Sequence, residues 1–138
     1  KKVYFIGKSL WSKGHRQLFD LLASKYNILN VKVDIYGSGP DRAGIEKEAK
    51  NKNLRVRFFE GVDHAELKDY SVFVNPSTSE VLCTTISEAL AMGKWVICPK
   101  HPSNQFFYQF TNCLVFDSKK EFFVCLSWAL CHEPKVLN

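Results

Sequence analysis

The sequence predicts an α/β fold, a doubly wound, mostly parallel sheet of six strands. Short strand-like segments alternate with helical ones along the whole chain, and this alternation is typical of right-handed crossovers between parallel strands. The first strand-like segment, residues 3–7, is almost entirely apolar, as expected for a strand covered on both faces. With 138 residues, of which 46% are hydrophobic, the chain is expected to form a single domain with a buried core.

Hydrophobic spacing and chain-breaking residues predict the elements one after another. Apolar side chains recur at helical spacing over residues 15–26, which predicts the first helix. Alternation over residues 31–37 predicts the second strand, which a Gly-Ser-Gly-Pro turn separates from a charged helix ending near residue 53. The other predicted elements are strands at residues 55–60, 71–75, 94–98 and 113–116, a short helix at 63–69, a helix that ends at Gly93, and a last helix at 119–131.

Composition and charge argue against several classes of protein. The net charge is +5, but the basic residues are scattered, so we expect a solvated surface and no nucleic-acid partner. The longest apolar runs span a handful of residues, too few for a transmembrane helix. The five cysteines have irregular spacing and no Cys-x-x-Cys pair, which predicts buried thiols in a reducing compartment and no metal site. Since the sequence starts inside a strand and without Met, we expect a fragment of a longer protein.

Residues 75–93, NPSTSEVLCTTISEALAMG, carry most of the functional prediction. A strand ends there in a polar loop that leads into a short helix, and a helix start offers N–H groups and the positive end of its dipole to a phosphate. Glu80 and Glu88 lie eight residues apart in this segment. The alternative is that each glutamate only caps a helix, because Ser77-x-x-Glu80 and Thr85-x-x-Glu88 both fit a capping box.

The predicted topology brings several polar groups to one edge of the sheet. Loops after the carboxyl ends of parallel strands lie at the same edge, where such sheets bind ligands. Lysines and helix-end amides at this edge can hold a diphosphate, and carboxylates can accept hydrogen bonds from sugar hydroxyls, so a nucleotide sugar matches it. The residues expected there are Lys8, Lys13, Gly37, Gly39, Val62, Glu80 and the backbone amides of residues 81–85.

These motifs resemble the C-terminal, Rossmann-like half of a retaining glycosyltransferase of the GT-B fold, over essentially the whole chain. The matching residues are Gly7-Lys8, Lys13-Gly14, Tyr36-Gly37-x-Gly39 and the paired glutamates in Glu80-x7-Glu88. The segments SEVLCTT and HPSN narrow the resemblance to plant galactosyltransferases that move galactose from UDP-galactose onto monogalactosyldiacylglycerol. The resemblance implies a hexosyltransferase with a nucleotide-sugar donor and no separate cofactor.

The resemblance also implies a role for each matching residue. Lys8 and Lys13 are implied to be the cations that stabilise the leaving diphosphate, and Lys8 stands where relatives usually have Arg. Glu80 is implied to face the galactosyl hydroxyls, and Glu88 to bind the ribose hydroxyls. The other residues predicted to bind the donor are Gly37, Gly39, Val62, Leu82, Cys83 and Thr84.

Four further side chains have simple interpretations. Cys83, near a helix N-terminus, has the alternative role of a nucleophile, but no His lies close to it in the sequence. It also occupies a position that is often Gly in the family, which leaves the identity of the sugar open. His64 and His101 are interpreted as polar loop residues, and His15 as a residue of the helix surface near the proposed phosphates.

The resemblance implies partners and a location as well. The galactolipid acceptor is expected to bind through an N-terminal domain that is missing here, so the isolated chain should bind the nucleotide weakly and transfer little or no sugar. Peripheral attachment to the chloroplast outer envelope, on its cytosolic or intermembrane face, is expected, with the aromatic residues 106–108 as one candidate contact. Two alternatives remain open: another UDP- or ADP-sugar-dependent enzyme, including an epimerase, and a non-catalytic binding module.

Overall fold

The structure, a computed structural model, describes residues 1–78 and 83–135, and within them six strands form one sheet. The strands are β1 (Val3–Ile6), β2 (Val33–Tyr36), β3 (Val56–Phe59), β4 (Val72–Val74), β5 (Trp95–Pro99) and β6 (Cys113–Phe116). Their order across the sheet is β3-β2-β1-β4-β5-β6, and each described pairing is parallel. The prediction of a doubly wound, six-stranded α/β sheet is therefore confirmed.

Helices cover both faces of the sheet and create two separate hydrophobic cores. The helices are α1 (His15–Leu22), α2 (Arg42–Asn51), α3 (Thr84–Ala91) and α4 (Lys119–Cys131). Apolar residues of α1, α2 and α4 pack with Val3 and Phe5 on one face, whereas those of α3 pack with Tyr4 and Ile6 on the other. Because each face of β1 meets a core, every residue of that strand is buried and largely apolar.

Helix α1 ends at Leu22, before the predicted end of this helix at residue 26. The Asn27 side chain donates to the Leu22 carbonyl at 3.0 Å and accepts from the Val31 N–H at 3.0 Å. These local bonds replace a further helical turn, as is common for Asn. Tyr26 nevertheless packs against the core, which explains why its spacing fits the helical period.

Two segments differ from the predicted elements because they form 3₁₀ helices. The helix predicted at residues 63–69 is a single 3₁₀ turn, His64–Glu66. Pro102–Gln109 also forms a 3₁₀ helix, which Asn104 anchors by donating to the Pro99 carbonyl at 3.0 Å. A 3₁₀ helix lacks the 3.6-residue period, so apolar spacing does not reveal it.

The strand order places a topological switch between β1 and β4. Strand β1 pairs with β2 on one side and with β4 on the other. The connections after β1 and β4 lead to helices on opposite faces, since α1 and α3 belong to different cores. Loops that diverge in this way open a crevice at the carboxyl edge of the sheet, where α/β folds bind ligands.

Two expectations from composition concern the membrane and the thiols. In the described ranges, no helix is both long and apolar enough to cross a bilayer. Cys83, Cys98 and Cys113 are buried, as predicted for thiols in a core. Cys131 differs, because it ends α4 and its side chain is exposed.

Candidate functional site

A cavity of about 260 Å³ lies at the carboxyl edge of the sheet, between the loops that follow β1 and β4. It brings together Lys8 and Lys13, from the β1–α1 loop, and Thr84 at the start of α3. Three of the predicted site residues therefore lie around one cavity at the topological switch. The residues that line it are Phe5, Ile6, Gly7, Lys8, Lys13, Asn75, Thr84 and Thr85.

Gly14 holds the β1–α1 loop against the loop that follows β4. It has a φ of 104°, in the left-handed region, and a Cβ at this position would lie 3.0 Å from the Ser77 nitrogen and 3.3 Å from Pro76 Cγ. Glycine alone satisfies both the dihedral angle and the close approach. Since the 3₁₀ turn Trp11–Lys13 ends at Gly14, this contact fixes Lys13 beside the loop that leads to α3.

Gly37 and Gly39 contact the other end of the β1–α1 loop. A Cβ on Gly37 would lie 1.9 Å from the Gly7 carbonyl oxygen, and a Cβ on Gly39 would lie 2.8 Å from the Ser9 carbonyl oxygen. The close backbone approach expected at these glycines is therefore an approach of the chain's own loop, and neither residue lines the cavity. Contact of either glycine with a donor stays a prediction.

Helix α3 presents its N-terminus to the cavity. The preceding residue, Cys83, has an extended backbone and makes no side-chain capping bond within residues 1–78 and 83–135. Its thiol is buried, where Sγ accepts from Asn75 Nδ2 at 2.9 Å and lies 3.0 Å from Thr85 Oγ1. The thiol thus supports the loop and does not line the cavity, which disfavours the nucleophile alternative. The N–H groups of the first helical turn and the positive dipole end remain directed at the cavity.

Glu88 lies one helical turn beyond Thr84, on the same face of α3. Its carboxylate Oε1 is 3.1 Å from His64 Nδ1, and its side chain is 53% exposed. The Thr85-x-x-Glu88 capping box is therefore wrong. Thr85 is the second residue of the helix, not its cap, and the glutamate contacts a different segment of the chain.

His64 is buried, although the sequence suggested a polar loop residue. Its Nε2 lies 2.6 Å from the Tyr4 hydroxyl, while its Nδ1 faces Glu88, so the imidazole connects the core of the sheet with the rim. Burial, and then the charge of Glu88, raise the pKa of the Tyr4 hydroxyl, which stays protonated. The two partners are 24 and 60 residues away in the chain, so no local spacing could have revealed these contacts.

Lys94 is a second buried polar residue without a sequence signal. Its Nζ donates to the Leu67 carbonyl at 2.6 Å and to the Tyr70 carbonyl, and it lies 5.3 Å from the centroid of the Tyr4 ring. Burial lowers the pKa of this ammonium group, and the Asp69 carboxylate acts in the opposite direction. Lys94 therefore anchors the segment between the 3₁₀ turn and β4, next to the buried tyrosine.

His15 is buried at the start of α1, and its predicted place on the helix surface is wrong. Its ring packs edge-on against Phe5, with centroids 4.7 Å apart, and Phe5 itself lines the cavity. Among the described residues, Nδ1 of His15 has no hydrogen-bond partner. Burial lowers the pKa of His15 to about 4, so the imidazole is neutral at neutral pH.

Three other predicted site residues have a different standing. Glu80 and Leu82 lie outside the described residues, so the roles predicted for them stay predictions. Val62 follows β3, is 38% exposed and does not line the cavity. In the described segments we find no group of three or more His, Cys, Asp or Glu side chains that could hold a metal ion.

Comparison with known proteins identifies close relatives of the sequence. The profile of the family described as glycosyl transferases group 1 matches residues 1–121. The chain is 47% identical to digalactosyldiacylglycerol synthase 1, chloroplastic, of Lotus japonicus, over 100% of this chain and 18% of that protein. It is 44% identical to digalactosyldiacylglycerol synthase 2, chloroplastic, of Arabidopsis thaliana, over 100% of this chain and 30% of that protein. The chain thus spans less than a third of the length of these curated relatives.

Solved structures share the fold. The catalytic domain of cholesterol-alpha-glucosyltransferase from Helicobacter pylori superposes with a TM-score of 0.70 at 22% identity, over 94% of this chain and 85% of that one. Sucrose-phosphate synthase from Thermosynechococcus elongatus gives a TM-score of 0.77 at 22% identity, over 95% of this chain and 36% of that one. These likenesses confirm the Rossmann-like fold found in the C-terminal half of GT-B glycosyltransferases.

Proposed function

We propose that this chain, which belongs to the glycosyl transferases group 1 family, is the donor-binding domain of a retaining galactosyltransferase. The proposed donor is UDP-galactose, and the proposed acceptor is monogalactosyldiacylglycerol, which the reaction converts to digalactosyldiacylglycerol. Support comes from relatives at 44% to 47% identity that are named digalactosyldiacylglycerol synthases. No metal ion or separate cofactor is part of the proposal.

One observation carries the proposal: Lys8, Lys13 and Thr84 surround a single cavity, and Glu88 follows on the same helix face. The rise of an α-helix places Glu88 about 6 Å along the axis from Thr84. A diphosphate held between the lysines and the start of α3 can therefore direct its ribose along the helix toward Glu88. Positive groups and a carboxylate then meet the parts of the nucleotide that suit them.

In the proposed reaction the protein stabilises charge on both sides of the breaking bond. Lys8, Lys13 and the amides at the start of α3 stabilise the negative charge that grows on the leaving UDP. Glu80 accepts hydrogen bonds from the galactosyl hydroxyls and orients the sugar while its anomeric carbon gains positive charge. Glu88 accepts hydrogen bonds from the ribose hydroxyls. This contact is equally strong in the ground state and the transition state, so it binds the donor without accelerating the transfer.

The acceptor and the membrane are proposed to meet the chain from outside this domain. The relatives carry the word chloroplastic in their names, and we propose the chloroplast outer envelope as the location and an N-terminal domain as the acceptor site. The three aromatic residues considered for membrane contact differ in the structure. Phe107 is buried in the core, whereas Phe106 is 57% and Tyr108 36% exposed, so only these two are available for peripheral contact.

Calorimetric titration of the chain tests the donor site. We expect UDP-galactose to bind more tightly than UDP-glucose or ADP-glucose. Lys8→Ala and Lys13→Ala should each weaken binding about tenfold, because each removes a charge-assisted hydrogen bond to the diphosphate. Lys8→Arg should retain the affinity, since a guanidinium also pairs with phosphate.

The matched control is Lys47→Ala, which removes an exposed lysine of α2 and should leave the affinity for UDP-galactose unchanged. Unchanged affinity in Lys8→Ala, or a preference for ADP-glucose, contradicts the proposal.

A Glu88→Ala variant separates the proposed site from a non-catalytic module. If Glu88 binds ribose, this variant should lose affinity for UDP. Its melting temperature should also fall, because the buried Nδ1 of His64 loses its carboxylate partner, so the UDP affinity is the measurement that decides. The melting temperature and the UDP dissociation constant are measured on the same preparation. A lower melting temperature with unchanged UDP affinity would support a purely structural role for this glutamate.

A further inference from the structure

We infer that His64 is a positioning residue that fixes the carboxylate of Glu88 in the orientation in which it accepts the ribose hydroxyls. The inference rests on the proposed function, because it takes Glu88 as the ribose-binding group. His64 does not touch the donor in this arrangement. It acts through Glu88, from the loop between β3 and β4.

The contacts of His64 leave its ring one orientation. The side chain is 4% exposed, with Nδ1 3.1 Å from Glu88 Oε1 and Nε2 2.6 Å from the Tyr4 hydroxyl. The rings of Tyr4 and Phe73 pack against it edge-on, with centroid distances of 5.6 and 5.7 Å. A ring enclosed in this way cannot rotate without losing both polar contacts and both aromatic ones.

The same contacts fix which nitrogen of a neutral His64 carries the proton. A bare Nδ1 would place its lone pair against a carboxylate oxygen, which also only accepts hydrogen bonds. The proton therefore belongs on Nδ1, where the N–H donates to Glu88, and Nε2 accepts from the Tyr4 hydroxyl. Tyr4 is able to donate because its hydroxyl stays protonated in the core. The result is a directed chain of hydrogen bonds from strand β1 to the rim.

This chain of hydrogen bonds gives Glu88 a defined orientation at little cost to its binding capacity. A free glutamate on a helix surface samples several rotamers, and binding a ligand must stop this motion. The Nδ1–H of His64 occupies one carboxylate oxygen, and the other oxygen stays available to hydroxyl donors. The 53% exposure of the Glu88 side chain agrees with a carboxylate that contacts His64 on one side and is open to solvent on the other.

The backbone that carries His64 is itself tied to the sheet. His64 begins the 3₁₀ turn His64–Glu66, and the Leu67 N–H donates back to its carbonyl at 3.0 Å. The buried ammonium group of Lys94 in turn binds the carbonyls of Leu67 and Tyr70. A positioning group needs a rigid mount of this kind, because a shift of the ring moves the carboxylate with it.

Paired binding of UDP and 2′-deoxy-UDP tests the inference. The ratio of the two dissociation constants isolates the 2′-hydroxyl contact and cancels effects on the diphosphate and the base. The parent chain should prefer UDP, and Glu88→Gln, which lacks the charge, should reduce that preference. His64→Gln keeps a polar group near the Nε2 position but removes the Nδ1–H donor, so it should reduce the preference about fivefold through weaker UDP binding alone.

His64→Asn is the matched control, because its amide nitrogen replaces the Nδ1–H donor. It should restore most of the preference that His64→Gln loses, and melting temperatures of all variants show whether the fold is kept. If His64→Gln retains the full preference while Glu88→Gln loses it, the inference is overturned and the proposed function stands. If the parent chain does not bind UDP, the proposed function fails and the inference fails with it.

Discussion

The buried imidazole of His15 makes the stability of the domain sensitive to acid. Its pKa in the folded chain is about 4, below the ordinary value of 6.5, because the ring is buried. Between these two pH values the unfolded chain binds the proton and the folded chain does not. The stability that the neutral His15 contributes should therefore be fully present above pH 6.5. The free energy of unfolding should fall as the pH drops toward 4, by up to about 3 kcal/mol. Urea unfolding at a series of pH values measures this slope.

A variant without the titrating group supplies the comparison. His15→Phe, or His15→Leu if the larger ring overpacks the site beside Phe5, should show a shallower slope over the same pH range. His132→Gln is the matched control, since it also removes one histidine but at an exposed position. An equal slope in the parent and in His15→Phe would mean that His15 is not held neutral in the folded chain.

At the scale of single residues, the sequence predicts positions near strand ends better than buried polar contacts. Lys8, Lys13 and Thr84 meet at one cavity because the carboxyl ends of parallel strands share an edge, which follows from topology alone. The burial of His64 and His15 was not predicted, because it depends on residues far away in the chain for His64 and on the neighbouring strand for His15. That a histidine lies in a loop of the sequence does not predict which strand the loop packs on, or whether the side chain is buried there.

At the scale of elements, Gly14 joins two loops that form the site. Gly14→Ala should destabilise the domain by about 1 to 3 kcal/mol, because its φ of 104° is strained for a residue with a Cβ. The added Cβ would also meet the Ser77 nitrogen at 3.0 Å and push the two loops apart. UDP affinity should fall as well, since Lys13 precedes this residue. Urea unfolding and nucleotide titration check both effects.

Gly44→Ala is the matched control, because the same substitution is expected to raise the free energy of unfolding at that position. Gly44 lies inside α2, where an added Cβ would meet Trp11 at an ordinary 3.8 Å. Gly44→Ala should therefore stabilise the domain by about 0.5 to 1 kcal/mol and leave UDP binding unchanged. If Gly14→Ala is as stable as the parent, the close approach of the two loops is not a requirement of the fold.

The elements with a compact apolar run or a long apolar stripe are those that the sequence predicts best. Strand β6 and helix α4 have the predicted bounds, Cys113–Phe116 and Lys119–Cys131. The end of α1 and the 3₁₀ helix Pro102–Gln109 escape prediction because individual side chains, Asn27 and Asn104, decide them by binding backbone carbonyls. Such bonds depend on single side chains and produce no periodic pattern in the sequence.

At the scale of the whole molecule, the strand order explains why the site is where it is. The order β3-β2-β1-β4-β5-β6 puts the switch at β1 and β4, and both loops there contribute to the cavity. The alternation of strands and helices predicts the parallel sheet, but not that Gly37 and Gly39 support the β1–α1 loop from the neighbouring strand. That contact requires the register of the strands, which hydrophobic pattern alone does not fix.

The chain by itself should bind UDP and transfer no galactose. The cavity lies at one open edge of a single sheet, and the relatives are more than three times as long as this chain. Sugar transfer needs an acceptor hydroxyl held close to the anomeric carbon and water kept away, which one exposed wall cannot achieve. Incubation with UDP-galactose and vesicles that contain monogalactosyldiacylglycerol, followed by mass spectrometry of the lipids, measures this. A full-length relative is the positive control, and digalactolipid formed by the 138-residue chain alone would contradict the prediction.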